Sequence, residues 1–563
     1  MRLDILRNIV FSALAVVIIA LSYLQIIRGE YYHDQSVNNR IRIIPDDGPR
    51  GRIFDRNGIV LADNRQAFHL GVIAQEVEDR DDLFNFLSGV LHKSPGYLRK
   101  QYDRKRTAPF VPVLLAENID RRTLITVEEN RFRYPGLVVE KGFERVYPLG
   151  AAGIHALGYV GKVDPGESDA FAEYGYTPLS TTGKSGVERF YDPLLRSRSG
   201  GRQIEVNARG RQVRLLGIKE PQKGKDITLT LDARVQTAAD EFLAGRRGAV
   251  VVMDLSNGDV LGLVSSPSFD PQNIRKYLDP AVGGASFINR AVNAQFPPGS
   301  VFKVVVASAA LQTKKITPDA SFDCPGYYML GGTRFGCAHV HGTQDLWDAL
   351  AHSCNVYFFH LGLLAGPKYL TQYARALGLG RPTGIDLPFE SSGHLSRPSG
   401  GVTRWYKGNT LNLSIGQGET LATPLQLAVM MAAVASDGLI LRPRLLKAVD
   451  NKPVAPVDLK RLPRVRLRDN VWTVVRDGLR RAVTDEAGTA HALADVANMK
   501  IWSKTGTAQA GEGRANHAWL TGWARSDKAG IVFCVFLEHG GSSANAVLLT
   551  RDLLLRMQSQ GII

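Results

Sequence analysis

Ser300 and Lys303 stand three residues apart in the stretch Phe296-Pro297-Pro298-Gly299-Ser300-Val301-Phe302-Lys303. Two consecutive prolines cannot lie inside a helix and a glycine punctuates a turn, so a helix is expected to begin near Ser300. The following run, Val304 to Leu311, is almost wholly apolar and implies that this helix is buried on most sides. Positions i and i+3 share a helix face, so the hydroxyl and the amine would point the same way from the helix N-terminus. A serine beside an amine able to shed its proton is a nucleophile with its base. Taken alone, the pair reads better as a helix-capping serine and a solvated lysine. Two later stretches alter that balance: Ser353-Cys354-Asn355 and Lys504-Thr505-Gly506-Thr507.

The chemistry these residue types support together is acyl transfer. Lys303 can take the Ser300 proton if desolvation or a neighbouring positive charge lowers its pKa, and Lys504 would supply such a charge. Ser353 can relay a proton to a leaving amine, and Asn355 can bind a peptide amide. Lys504, Thr505 and Thr507 offer a charge and two hydroxyls to a substrate carboxylate, while Gly506 lets the strand come close to the substrate. Backbone N–H groups of Ser300 and Thr507 would form an oxyanion hole. The bland alternative for Lys504-Thr505-Gly506-Thr507 is an ordinary edge strand with a bulge.

Three of the four cysteines fall close together, as Cys324-x12-Cys337-x3-His341-x12-Cys354, with His339 nearby; Cys534 lies apart in an apolar stretch and reads as core. Three thiolates and one imidazole suit a tetrahedral structural zinc, which would tie the segment after the Ser300 helix to the one carrying Ser353 and Asn355. A Cys324–Cys337 disulfide in an oxidising compartment, a buried Cys354 and free thiols all stay open as alternatives.

The elements that must position these groups follow from the patterning. Residues Ile9–Ile27 carry no charge and would form a helix of about 28 Å, just enough to span a bilayer. Arg2 and Arg7 precede this run and no clear small-residue cleavage site follows, so an uncleaved anchor is expected, with a short cytoplasmic tail (residues 1–8) and the remainder outside. Residues 36–220 read as an extended, noncatalytic α+β module, including a hairpin signal at Asn57-Gly58, a charged and irregularly helical region over 78–132, and a basic glycine-rich run to about Val213. After a linker near Pro221–Lys225, residues 226–563 combine strands from both ends of the segment (Ala249–Asp254 and Val260–Val264 about Asn257-Gly258, then Ala518–Ala524 and Ile531–Leu537) with a closing helix over 544–558 and a helical block between. The net charge of +15 favours anionic partners such as lipid headgroups, anionic wall polymers or nucleic acid. No nucleic-acid module is visible, however, and the basic residues are dispersed, which reads as a generally solvated basic surface rather than a binding patch.

The three short stretches, in this order, resemble those of the penicillin-binding proteins and serine β-lactamases. Nearly the whole chain is similar to the class B penicillin-binding proteins. Arg50-Gly51-Arg52-Ile53-Phe54-Asp55-Arg56-Asn57-Gly58 and Gly186-Val187-Glu188 resemble pedestal motifs of that class. Ile415-Gly416-Gln417-Gly418, Thr423-Pro424-Leu425-Gln426-Leu427 and His517-Ala518-Trp519 resemble motifs of its transpeptidase domain. The resemblance implies an α+β architecture: an N-terminal transmembrane helix, an elongated pedestal or dimerisation domain, and a transpeptidase domain with an antiparallel sheet and a helical subdomain. It implies that Ser300 attacks the D-Ala-D-Ala end of a peptidoglycan stem peptide, that D-Ala leaves, that an amine of a neighbouring stem resolves the acyl-enzyme, and that β-lactams acylate Ser300. No cofactor is implied for the chemistry. The Cys324–Cys354 region with His341-Gly342 and the short pedestal point to the elongation type rather than the division type, although Ala338 departs from the aromatic residue many relatives carry. A polytopic SEDS-family glycosyltransferase and rod-complex scaffold proteins are the implied partners. Other uses of the same motifs are a D,D-carboxypeptidase, a β-lactamase or β-lactam sensor, and an inert scaffold; the anchor and pedestal argue against the lactamase, and the intact motifs against the scaffold.

Overall fold

The computed structural model describes residues 2–32, 40–106, 112–163, 181–207, 212–398, 405–455, 457–527 and 529–563; the start of the 36–220 segment and part of its basic run lie outside them. The chain forms two compact units, a smaller one of residues 1–51, 64–146 and 196–225 and a larger one of residues 52–63, 147–195 and 226–563.

The smaller unit begins with helix α1 (Arg2–Ser22), which continues as a wider turn through Tyr23–Ile27. The span Leu3–Ile27 contains an 18-residue stretch of mean hydropathy 2.4 with none of the protein's own core against it, which makes this helix long and apolar enough to cross a membrane. In the same unit, Ile41–Asp46 pairs antiparallel with Gly200–Val206, which pairs antiparallel with Gln212–Lys219. The charged region over 78–132 resolves into helices Arg80–Leu91, Pro95–Lys105 and Arg121–Glu129 with a strand, Pro112–Ala116, between the last two. Asp79, Ser94 and Asp120 cap the three helix N-termini with side-chain oxygens, as orphan first-turn N–H groups require. These helices pack Leu83, Phe84, Leu87, Leu98 and Tyr102 onto strand residues Leu70, Val72, Val113 and Leu115.

The larger unit is built on a five-stranded sheet. Helix α2 (Ala233–Leu243) leads into β1 (Gly248–Asp254) and β2 (Val260–Ser266), a hairpin whose turn holds Gly258 at φ +80. Strands β3 (Lys500–Ala508), β4 (His517–Arg525) and β5 (Gly530–Leu537) complete the order β2-β1-β5-β4-β3, all neighbours antiparallel. Alternation along β1 divides its side chains between two cores: Val250 and Val252 join α2 and the closing helix (Ser543–Ser559), whereas Ala249, Val251 and Met253 join the helical block. That block contains Lys303–Gln312 (α3), Leu346–Ala351 (α4), Asn355–Ala365 (α5), Pro424–Ala435 (α6) and Asp469–Thr484 (α7). Every residue of α6 is buried, so this helix is a structural spine and has no polar face to display.

The Arg52–Gly58 motif belongs to this unit and closes on α2. Asp55 is wholly buried; its carboxylate accepts from Asn57 N and Ile59 N, each at 2.8 Å, and from Ala233 N at 3.1 Å. Asp232 caps the same helix and accepts from Asn57 Nδ2 at 3.1 Å. Ile53–Phe54 runs antiparallel to the following strand across the Asn57-Gly58 turn and parallel to Ile227–Leu229.

Candidate active site

The serine turn is the first part of the site. Gly299–Phe302 forms one 3-10 turn that passes directly into α3, so the helix expected to begin near Ser300 does so with a tighter first turn. Gly299 holds φ at +56, a conformation a side chain would strain. Neighbours pin the turn from three sides. Gly299 N donates to Gly416 O at 3.0 Å and Phe296 N to Ala422 O at 2.9 Å. Trp519 Nε1 donates to Pro297 O at 3.0 Å. The contact at Gly416 is close enough that a Cβ there would fall 2.2 Å from Gly299 O. The Ile415–Gly418 and His517–Trp519 motifs thus support the nucleophile's loop.

Lys303 is the first residue of α3 and is fully buried. Its Nζ lies 2.7 Å from Ser353 O, 3.3 Å from Ser353 Oγ and 2.6 Å from Asn355 Oδ1, and 5.5 Å from the centre of the Phe358 ring. Burial pulls the amine down to about 8, with the nearby Cys337, Cys354 and Cys324 partly opposing the shift. Ser353 sits at φ +59 just before α5, and Asn355 is the first residue of that helix, its Nδ2 donating to Gly336 O at 3.1 Å. The backbone strain at Ser353 turns both its carbonyl and its hydroxyl toward Lys303. Ser300, half-buried, lies one helical turn before Lys303 on the same side.

The third stretch occupies β3, the edge strand. Lys504 is fully buried and donates to Thr505 O at 3.3 Å; burial, and then the charge of Lys303, hold it well below the usual lysine range. Two ammonium ions in one dry site repel, so one of the pair gives up its proton at neutral pH more readily than a surface lysine does. Thr507 is exposed, whereas Thr505 is buried and its Oγ1 lies 2.9 Å from Thr489 Oγ1. A Cβ on Gly506 would meet Pro298 O at 3.1 Å and Val301 at 3.0 Å, and one on Gly299 would meet Thr507 O at 2.9 Å. The glycine therefore lets β3 lie against the serine turn, which is how a strand some two hundred residues distant in sequence comes to face Ser300. Thr489 gave no signal in sequence beyond its place after a glycine.

The four proposed metal ligands also converge. One donor atom each from Cys324, Cys337, His341 and Cys354 lie within 4.8 Å of one another. Both Cys324 Sγ and Cys337 Sγ are 3.5 Å from His341 Nδ1, close to the ~3.6 Å edge of a tetrahedron built from ordinary zinc–sulfur and zinc–nitrogen bonds. Asn355 N donates to Cys337 Sγ at 3.1 Å and Tyr357 N to Cys354 Sγ at 3.5 Å, the amide support a thiolate ligand takes. All four cysteines of the chain are free thiols, so Cys324 and Cys337 form no disulfide in this structure; Cys534 is buried in β5. His339 is not in the cluster.

The comparisons with known proteins agree with this geometry. The penicillin binding protein transpeptidase domain matches residues 248–554, and the penicillin-binding protein dimerisation domain matches residues 45–229. The peptidoglycan D,D-transpeptidase MrdA of Acinetobacter baumannii is 32% identical over 589 residues, covering 96% of this chain and 86% of that relative. A penicillin-binding protein (PBP2) of Helicobacter pylori, solved in complex with MreC, superposes with a TM-score of 0.81 at 26% identity, over 93% of this chain and all of that one. A peptidoglycan synthase complex that coordinates polymerization and crosslinking gives a TM-score of 0.70 at 30% identity over 98% of both chains. The chain belongs to the penicillin-binding proteins that carry a dimerisation domain ahead of a serine transpeptidase domain.

Proposed function

We propose that this cleft crosslinks peptidoglycan stem peptides during cell-wall elongation, through a serine acyl-enzyme on Ser300. The observation that carries the reading is the convergence on one buried amine, Lys303, of the carbonyl of Ser353 and the amide of Asn355, at 2.7 Å and 2.6 Å. Neutral Lys303 takes the Ser300 proton as Oγ attacks the carbonyl of the penultimate D-Ala. The backbone N–H groups of Ser300 and Thr507 receive the developing oxyanion. Lys504, Thr505 and Thr507 hold the terminal carboxylate, and Asn355 holds a stem amide. Collapse of the tetrahedral adduct breaks the peptide bond, and the proton on Lys303 reaches the departing D-Ala amine by way of Ser353. An amine of a second stem then attacks the ester, returning Ser300 to its free hydroxyl. A substrate carboxylate beside Lys504 favours its charged form, which in turn favours the neutral form of Lys303.

The test is to incubate the full-length protein in detergent with a pentapeptide donor and an amine acceptor and follow products by mass spectrometry. The expected result is the donor tetrapeptide joined by an amide bond to the acceptor amine, with release of one D-Ala. Release of D-Ala with only the hydrolysed tetrapeptide would replace transpeptidase by carboxypeptidase.

Membrane attachment through α1, with the catalytic unit outside the cytoplasm, completes the reading; the short N-terminus with Arg2 and Arg7 supports that orientation. The relatives solved with MreC and within a peptidoglycan synthase complex support a rod-complex scaffold and a SEDS-family glycosyltransferase as partners for this chain.

Cys324, Cys337, His341 and Cys354 would hold a structural zinc, whose contribution is to fix the segment that carries Ser353 and Asn355. Elemental analysis is expected to find about one zinc per chain. Cys337→Ser is expected to lose the metal and slow penicillin acylation by at least about tenfold, because the sulfur supports the Asn355 amide. Absence of zinc together with loss of two titratable thiols would instead indicate a Cys324–Cys337 disulfide.

A further inference from the structure

We infer that Thr489 is a positioning residue for the substrate carboxylate, acting through Thr505 and joining the second motif to the third. The inference rests on the reading above, in which Thr505 donates to that carboxylate.

Thr489 follows α7 in a turn with little freedom. Asp485 Oδ1 accepts from Ala487 N at 2.9 Å, Gly488 N donates to Asp485 O at 2.9 Å, and Ala490 N donates to Ala482 O at 2.9 Å. A Cβ on Gly488 would lie 2.5 Å from Ala482 O, so the turn folds back flush on its helix. The same loop is anchored to the second motif's side, His352 Nε2 standing 3.5 Å from Asp485 Oδ2 and Arg481 Nη1 2.9 Å from Asp348 Oδ1.

What this turn delivers is one hydroxyl at a junction. Thr489 N donates to Ala351 O at 3.2 Å, and Thr489 Oγ1 lies 3.1 Å from that oxygen and 2.9 Å from Thr505 Oγ1. Ala351 ends α4, two residues before Ser353, and its carbonyl is one of those a helix leaves unpaired. Thr505 follows Lys504. The two hydroxyl protons have two arrangements. In one, Thr505 donates to Thr489 and Thr489 donates to Ala351 O. In the other, Thr489 donates to Thr505, whose own proton is released for the substrate carboxylate. The second leaves no orphan, because Ala351 O keeps the Thr489 N–H. Thr489 thus lets Thr505 reverse from donor-to-protein to donor-to-substrate without a side chain moving, while holding β3 at a set distance from Ser353.

The experiment compares acylation of the full-length protein by benzylpenicillin and by its methyl ester, which lacks the charged carboxylate. Thr489→Val keeps the shape and removes the hydroxyl. It is expected to lower the acid-to-ester ratio of acylation rates about tenfold, the worth of one hydrogen bond to a charged group, with the ester rate within about twofold of wild type. Thr489→Ser is expected to restore the ratio, and Thr489→Val combined with Thr505→Val to lower it no further than Thr505→Val alone. Equal slowing of acid and ester would reduce Thr489 to a structural residue, and an unchanged ratio would overturn the inference. If Thr489→Val does not fold, Thr489→Ala makes the same comparison. Failure of the underlying reading looks different, since wild-type protein would then not be acylated at Ser300 at all.

Discussion

Replacing Ser300 with alanine is expected to abolish the covalent adduct with a fluorescent penicillin, to below a thousandth of the wild-type signal on a gel and to no added mass on the intact protein. Ser300 lies in the turn immediately before the buried Lys303, and that turn packs against the backbone of Thr507. No other hydroxyl of the motifs stands one helical turn before Lys303. Removal of one half-buried oxygen leaves the supports of the turn in place, namely Gly416 O, Ala422 O and Trp519 Nε1, so the thermal transition is expected to stay within about 2 °C of wild type. Persistent labelling of Ser300→Ala at the wild-type rate would move the nucleophile elsewhere and take the acyl-enzyme reading with it. Labelling of the wild type that fades as hydrolysed drug accumulates would point to a β-lactamase.

The second large effect belongs to Lys303. A base must be neutral to accept a proton, and burial brings this amine down to about 8. The fraction available as base therefore rises with pH, and the acylation rate should climb through about pH 8 and level off above it. At pH 6 the rate is expected to be about a hundredfold below the plateau, two decades of proton concentration below the pKa. The sign for stability runs the same way. A lysine whose pKa is lower in the folded chain binds fewer protons there than in the unfolded chain. Its burial is therefore unfavourable below about pH 8, and the penalty fades as pH rises toward the ordinary lysine value. Lys303→Met removes the base and should slow acylation by about 10³-fold, and the residual rate should lose the limb near pH 8. Stopped-flow acylation between about pH 6 and about pH 10, roughly two units either side of that pKa, measures both. A slow variant that keeps the same limb would transfer the base role to Lys504, the other buried amine.

Much of this chain was legible without coordinates because its local rules do not conflict. Pro297, Pro298 and Gly299 stop one segment and start another, and the apolar run behind them has to be a buried helix. The Ser300–Lys303 spacing then requires a shared face whatever lies around it. The Asn257-Gly258 hairpin, the strands Ala518–Ala524 and Ile531–Leu537, and the apolar N-terminal helix follow from periods of two and of 3.6 residues, which are properties of the backbone. The cysteine spacing likewise named Cys324, Cys337, His341 and Cys354 as one group, and their donor atoms do meet. Other facts depend on contacts between residues far apart in sequence, and no local rule carries those. The approach of Lys303 to Ser353 and Asn355 follows from how α3 packs on α5. The facing of β3 and the serine turn depends on Gly506 and Gly299 offering no Cβ at a point where two backbones nearly touch. The depressed pKa values of Lys303 and Lys504 come from burial that two charged residues, read in sequence, would not suggest. The burial of Asp55 against the start of α2 and the bridge through Thr489 are of the same kind. Sequence by itself determined which chemical groups this protein has and the local shapes that carry them; tertiary structure alone decided which of those groups are buried together, because desolvation and hydrogen-bond geometry are set by neighbours in space.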